Sequence, residues 1–150
     1  MNHPIRGLFL LFLLSFLASP AFALPPDPIG RIQTLRGEAH LLRGDLSVPA
    51  AVGHPVYNGD RVRTAKDGAV GVVLTDDTTF SLGPNSEIAI KDYAFEPKEE
   101  RFSLFLRVIK GTCVYFSGLI GKLRPNAVRL EIPDATIAVR GTKLLMDVRG

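Results

Sequence analysis

Apolar and polar positions alternate along most of this chain with a period of two. Val70, Val72 and Leu74 alternate with Ala69, Gly71 and Val73; Phe102, Leu104, Leu106 and Val108 share one face, and Ile88 and Ile90 another. This alternation predicts strands, and no stretch of helical length shows a 3.6-residue period. Breakers punctuate the runs at Arg36-Gly37, Gly44-Asp45, Asn58-Gly59, Lys66-Asp67-Gly68, Asp76-Asp77, Gly83-Pro84-Asn85, Lys110-Gly111 and Pro133-Asp134. The expectation is an all-β compact domain of about ten to twelve short strands and hairpins, sandwich-like or solenoid-like. Residues 102–109 and 112–117 are expected to form a hairpin about Lys110-Gly111. Residues 47–55 read as a loop or a short strand, the charged run 96–101 as an exposed loop, and 118–126 as a Gly/Pro/basic loop.

The first residues depart from this pattern. Arg6 precedes an uncharged, mostly apolar run, 7–19, which Pro20 closes ahead of Ala21-Phe22-Ala23. The three parts predict a secretory signal peptide, residues 1–23, cleaved after Ala23. As an anchor the run would reach only about 20 Å at ~1.5 Å per residue, short of the ~30 Å hydrocarbon layer, so no stable membrane span is expected. Residues 24–28 form a Pro-rich arm, residues 29–150 the all-β domain, and the expected location is the periplasm.

Composition narrows the function classes. The 150 residues carry 18 Lys and Arg against 15 Asp and Glu, a net charge of +3. Loss of Arg6 with the leader leaves 17 basic against 15 acidic side chains, and the basic residues alternate with apolar ones. A nucleic-acid ligand would need a concentrated basic face, so none is expected. A single cysteine excludes an intramolecular disulfide framework. Cys113 is expected to be an inert thiol in a strand, with an intermolecular disulfide as the alternative. His40 and His54 lack metal-ligand spacing and read as structural; no metal and no cofactor are expected. Ser81, Ser86 and Ser117 lack a Gly-x-Ser-x-Gly context. Asp76-Asp77 reads as a solvated hairpin tip rather than a calcium site or, with Glu87, an acid–base pair. No catalytic residues are expected, and no enzyme.

One triplet is more specific. Arg140-Gly141-Thr142 follows an apolar strand, with Gly141 suited to a positive φ or a close approach and Arg140 to clamping a carboxylate. Asp60, beside Gly59 in the Asn58-Gly59-Asp60 turn, is the partner expected by type. The two are expected to form a partly buried clasp between the last hairpin and that turn; the alternative is a surface arginine. Structural or interaction candidates are therefore Gly59, Asp60, Arg140, Gly141 and Thr142.

Together, Asn58-Gly59-Asp60-Arg61-Val62-Arg63-Thr64, Val70-Gly71-Val72-Val73-Leu74-Thr75-Asp76-Asp77-Thr78, Leu82-Gly83-Pro84-Asn85-Ser86 and Val139-Arg140-Gly141-Thr142, in that order, resemble the FecR domain family. The resemblance extends over residues 29–148. The family turn usually reads Asp-Gly where this chain has Asp76-Asp77. The resemblance implies an exported all-β sensing or interaction module without catalytic residues. In full regulators of that family it implies the periplasmic part of a membrane protein that controls a sigma factor through a cytoplasmic segment. The present chain, with a leader directly before the domain, is expected to lack that segment.

Two function classes follow: a non-enzymatic envelope module that binds a protein partner, and an envelope glycan-binding accessory protein or enzyme with a site in 96–101 and 118–126. The leader has a direct test. Intact mass of the protein from a periplasmic fraction should correspond to a chain beginning at Leu24; a membrane-bound species retaining Met1 would revive the anchor.

Overall fold

In the computed structural model the described residues are 25–139 and 141–149; residues 1–24, which include the expected signal peptide, Arg140 and Gly150 lie outside them. Twelve strands among these residues form an all-β fold of two layers that share one long strand. The first layer runs in the order β4 (Pro55–Val56), β1 (Gly30–Arg36), β6 (Ala69–Leu74), β7 (Thr79–Leu82), the second half of β9 (Arg101–Phe116) and β12 (Lys143–Val148). The second runs β3 (Leu46–Pro49), β2 (Ala39–Arg43), β5 (Arg61–Thr64), β8 (Glu87–Glu96), the first half of β9, β10 (Val128–Ile132) and β11 (Ala135–Ala138). Every pairing is antiparallel except β9 with β10.

The alternating runs supply the core from both layers. Val70, Val72, Leu74, Phe80 and Leu82 of one layer join Val62, Ile88, Ile90, Leu104, Leu106 and Val108 of the other in a single buried cluster. On the outer side of β6, Gly71 lies between Thr34 and Ser81, and a Cβ there would overlap the Thr34 hydroxyl.

Strand β9 corrects one expectation. Lys110-Gly111 does not reverse the chain; the strand continues for 16 residues and changes partners, from β8 and β10 to β7 and β12. Gly111 carries the bend at φ 80°, and a Cβ there would overlap the Ser86 side chain and lie 2.6 Å from its Cα. The Ser86 hydroxyl fills that space, accepting from Thr112 N at 2.9 Å and donating to Pro84 O at 3.0 Å. A glycine between two alternating runs suits a hairpin turn and a bent strand equally well, and the cross-layer contact with Ser86 decides for the bend.

The connections differ in part. Residues 96–101 lie at the tip of the β8–β9 hairpin around a 3-10 turn, Pro97–Glu99, with the Phe95 and Phe102 rings 5.9 Å apart behind it. Residues 118–126 are not a plain loop: they hold a one-turn helix, α1 (Leu119–Leu123), and start a 3-10 turn, Pro125–Ala127. Ile120 of α1 is fully buried, and that burial fixes the turn where local sequence gives no helical period. No helix among the described residues is long and apolar enough to cross a membrane.

Cys113 lies in the core, paired with Leu82 and Met146, and burial pushes its thiol up to about 12 from 9.0. Burial also raises Tyr93 and Tyr115 above the usual phenol value. Folding therefore favours the protonated form of all three groups. Their contribution is complete below the unfolded-state values and is lost as pH climbs toward the folded ones. Denaturant midpoints should hold steady up to about pH 9 and fall steeply above it, and Cys113→Ala should flatten part of that fall. A midpoint independent of pH up to 11, or rapid thiol labelling of the native protein at pH 8, would contradict the placement.

Candidate interaction surface

The Gly-Asp-x-Val-x-Thr stretch shows how the motif residues are used. Asp60, Val62 and Thr64 point inward, while Arg61 and Arg63 point outward. Tyr57–Asp60 is a β-turn closed by Asp60 N donating to Tyr57 O at 3.1 Å, with Gly59 at φ 88° in its third position. The fully buried Asp60 carboxylate accepts from Arg43 Nε at 2.8 Å, Arg43 Nη2 at 2.7 Å and Tyr57 N at 2.9 Å. The Arg43 guanidinium lies over the Tyr57 ring, 4.3 Å from its centroid. Its hydrogen bond to Asp60 raises the Arg43 pKa, against an opposing effect of partial burial.

The expected Asp60–Arg140 clasp lies outside the described residues, since Arg140 is not among them; within them the fork on Asp60 is Arg43 at the end of β2, 17 residues away. Strand pairing explains the choice: Leu42 pairs with Arg61, which brings the following arginine beside the turn that opens β5. Gly141 has φ 130° with open space around it, and Thr142, exposed, accepts from Ser117 N through its carbonyl at 2.9 Å. On the outward face, buried Glu87 accepts from Arg61 Nη1 at 3.1 Å and Arg63 Nε at 2.9 Å. Thr64 donates to Gly83 O at 2.6 Å and accepts from Ser86 N at 2.9 Å, tying the Gly83-Pro84-Asn85-Ser86 turn to β5.

Asp76 departs furthest from the solvated hairpin tip that its sequence predicts. Asp77 is exposed at φ 65°, as a turn tip should be, but Asp76 is fully buried. Its carboxylate accepts from Thr78 N at 3.2 Å, Thr78 Oγ1 at 2.7 Å, Tyr93 Oη at 3.0 Å and Ile120 N at 3.1 Å. Its own N–H donates to Tyr93 Oη at 3.0 Å and its carbonyl accepts from Leu119 N at 2.7 Å. Since the one Tyr93 proton goes to Asp76, Thr75 Oγ1 is the donor in its 2.9 Å contact with that phenol. Gly118, the residue before α1, offers no capping side chain, and Asp76 supplies the acceptors for the helix from 42 residues away. A Cβ on Gly118 would overlap Thr78 N and Asp76 O.

With these carboxylates engaged inside the fold, the surface left for partners is outside. Strand β3 is exposed at all four residues, with Leu46 at 67% and Val48 at 42%, and β2 is its one strand partner among the described residues. Val48 also lines a small hollow of about 140 Å³ together with Leu41, Arg43, His54 and Pro55. No cluster of three or more His, Cys, Asp or Glu among the described residues could hold a metal ion.

Asp76→Asn keeps the shape and tests the hub. Either amide orientation places an NH2 group against a backbone N–H, of Thr78 or of Ile120, that cannot rotate away. The expected loss is about 3 kcal/mol by urea unfolding. Asp60→Asn should cost about the same, and Arg43→Lys less, since one ammonium cannot reproduce the two-pronged contact. Losses under ~0.5 kcal/mol would show that these carboxylates are not structural.

Residues 60–150 match the family described as FecR protein. The match takes in β5 to β12, and β1 to β4, which pair into both layers, precede it. No curated protein and no solved structure matches the chain. On the strength of a match that begins at Asp60 and runs through every strand after it, the chain belongs to the FecR protein family.

Proposed function

We propose that the chain is an exported, non-enzymatic sensing or interaction module of the cell envelope, periplasmic, with a protein as its partner. The observation that carries this reading is β3: an edge strand exposed along its whole length, with β2 as its one strand partner among the described residues and two apolar side chains beside it. Such an edge invites pairing by an added strand, with main-chain hydrogen bonds giving affinity and alternate side chains giving selectivity. The engagement of Asp60, Asp76 and Glu87 within the fold and the burial of Cys113 support a role without catalysis.

Cross-linking and capture from envelope extracts test it. The wild-type chain should recover a stoichiometric protein, and Val48→Lys, which places a charge on the edge without touching the core, should reduce recovery at least ~tenfold while leaving the melting temperature unchanged. Recovery of a bound glycan in place of a protein would favour the accessory or enzymatic alternative. Equal recovery by both chains would remove β3 as the docking edge.

A further inference from the structure

The outer face of the second layer carries a basic trench. Register places Arg61, Ala89 and Arg107 side by side on β5, β8 and β9, so two guanidinium-bearing residues flank a methyl group at about 5 Å spacing between strands. Lys91 lies two residues after Ala89 at a β-bulge, where the β8–β9 register jumps from Ile90 to Asp92. A bulge re-aims a side chain, and Lys91, exposed, makes no ion pair among the described residues. Two adjoining hollows share Arg61, Ala89 and Lys91. One, of about 440 Å³, extends to Arg107, Ile109 and Pro133; the other, of about 300 Å³, extends to Leu42 and Gly59.

Five cations on this face, Arg61, Arg63, Lys91, Arg107 and Arg129, stand against three carboxylates, Glu87, Glu131 and Asp92, the last hydrogen-bonded to Ser103. Glu87 is buried under Arg61 and Arg63, and Glu131 lies 3.7 Å from Arg107. The face keeps a surplus of positive charge over a floor of Ala89, with Leu42, Ile109 and Pro133 adding apolar walls.

We infer that this trench binds an acidic segment of a partner polypeptide, laid across β5, β8 and β9 with carboxylates on Arg61, Lys91 and Arg107 and aliphatic side chains against Ala89, Ile109 and Pro133. The inference rests on the interaction reading only in taking the ligand for a polypeptide. The mixture of cations and aliphatic walls suits alternating acidic and apolar side chains better than a sugar acid, which presents hydroxyls where the trench has methyl groups.

Fluorescence anisotropy with a labelled peptide of alternating Glu and Leu tests it, with the Lys–Leu counterpart and hexagalacturonate as controls. The acidic peptide should bind the wild-type chain, weaken with added salt, and lose at least ~tenfold in affinity in Lys91→Glu combined with Arg107→Gln. Ala89→Leu, which fills the floor without altering charge, should weaken it comparably, and unchanged melting temperatures would show that the variants fold. Equal binding by the variants, preference for hexagalacturonate, or no binding of the acidic peptide would overturn the assignment. Undiminished capture of a protein partner from envelope extract by the Lys91→Glu, Arg107→Gln chain would overturn the trench and leave the interaction reading standing; failure of the wild-type chain to capture any protein would overturn that reading instead.

Discussion

The fold depends on a carboxylate that meets no cation among the described residues. Asp76 is buried at the β6–β7 turn and is satisfied by backbone N–H groups and hydroxyls alone: Thr78 beside it, Tyr93 from the opposite layer and Ile120 from α1. Hydrogen bonds to an ionised acceptor are stronger than neutral ones, and a partly satisfied buried group is costly, so the three donor segments must arrive together. Asp76 thereby fixes the separation of the two layers at this end. It also fixes the place of α1, whose first turn has no cap of its own. Gly118 allows the approach, since a side chain there would occupy the backbone of the Asp76-to-Thr78 turn.

A second set of buried polar groups holds the other strands in register. Arg43 on Asp60 joins β2 to the turn ahead of β5; Thr64 joins β5 to the Gly83–Ser86 turn; Ser86 receives the bend of β9 at Gly111. The residues that make the chain resemble its family are therefore mostly residues that make it fold. That changes where binding should be sought. The inward positions of β5 serve the core and the clasp, while its outward arginines, the bulged Lys91 and the exposed strand β3 face whatever the protein meets.

The strands and their inward faces were legible from alternation because each buries one side, and a one-residue slip would expose Val70, Val72 and Leu74 together. Three features were not legible, for separate reasons. Gly111 marks a bend, and the signal that separates a bend from a hairpin is Ser86, 25 residues away. Asp76 sits in a turn dipeptide, where two adjacent carboxylates read as solvated; only Asp77 is, and the difference lies in donors from β8 and α1. The Arg43 fork on Asp60 was not legible because residue type pointed only to Arg140, which lies outside the described residues, while the β2–β5 register that sets Leu42 against Arg61 is what brings Arg43 to the turn. A resembling departure at Asp77, where the family turn usually has glycine, is accommodated because that residue takes the left-handed φ of 65° on the exposed side of the turn.

On this geometry Asp76 joins the two layers and α1 into one cooperative unit, and native-state hydrogen exchange can follow that unit at the Thr78, Leu119 and Ile120 amides, all three of which donate to Asp76. These amides should exchange only through global unfolding, with the same opening free energy as the core amides of β6 and β9. Exchange of Leu119 and Ile120 through a local opening hundreds of times more frequent, with β6 and β9 still protected, would contradict it.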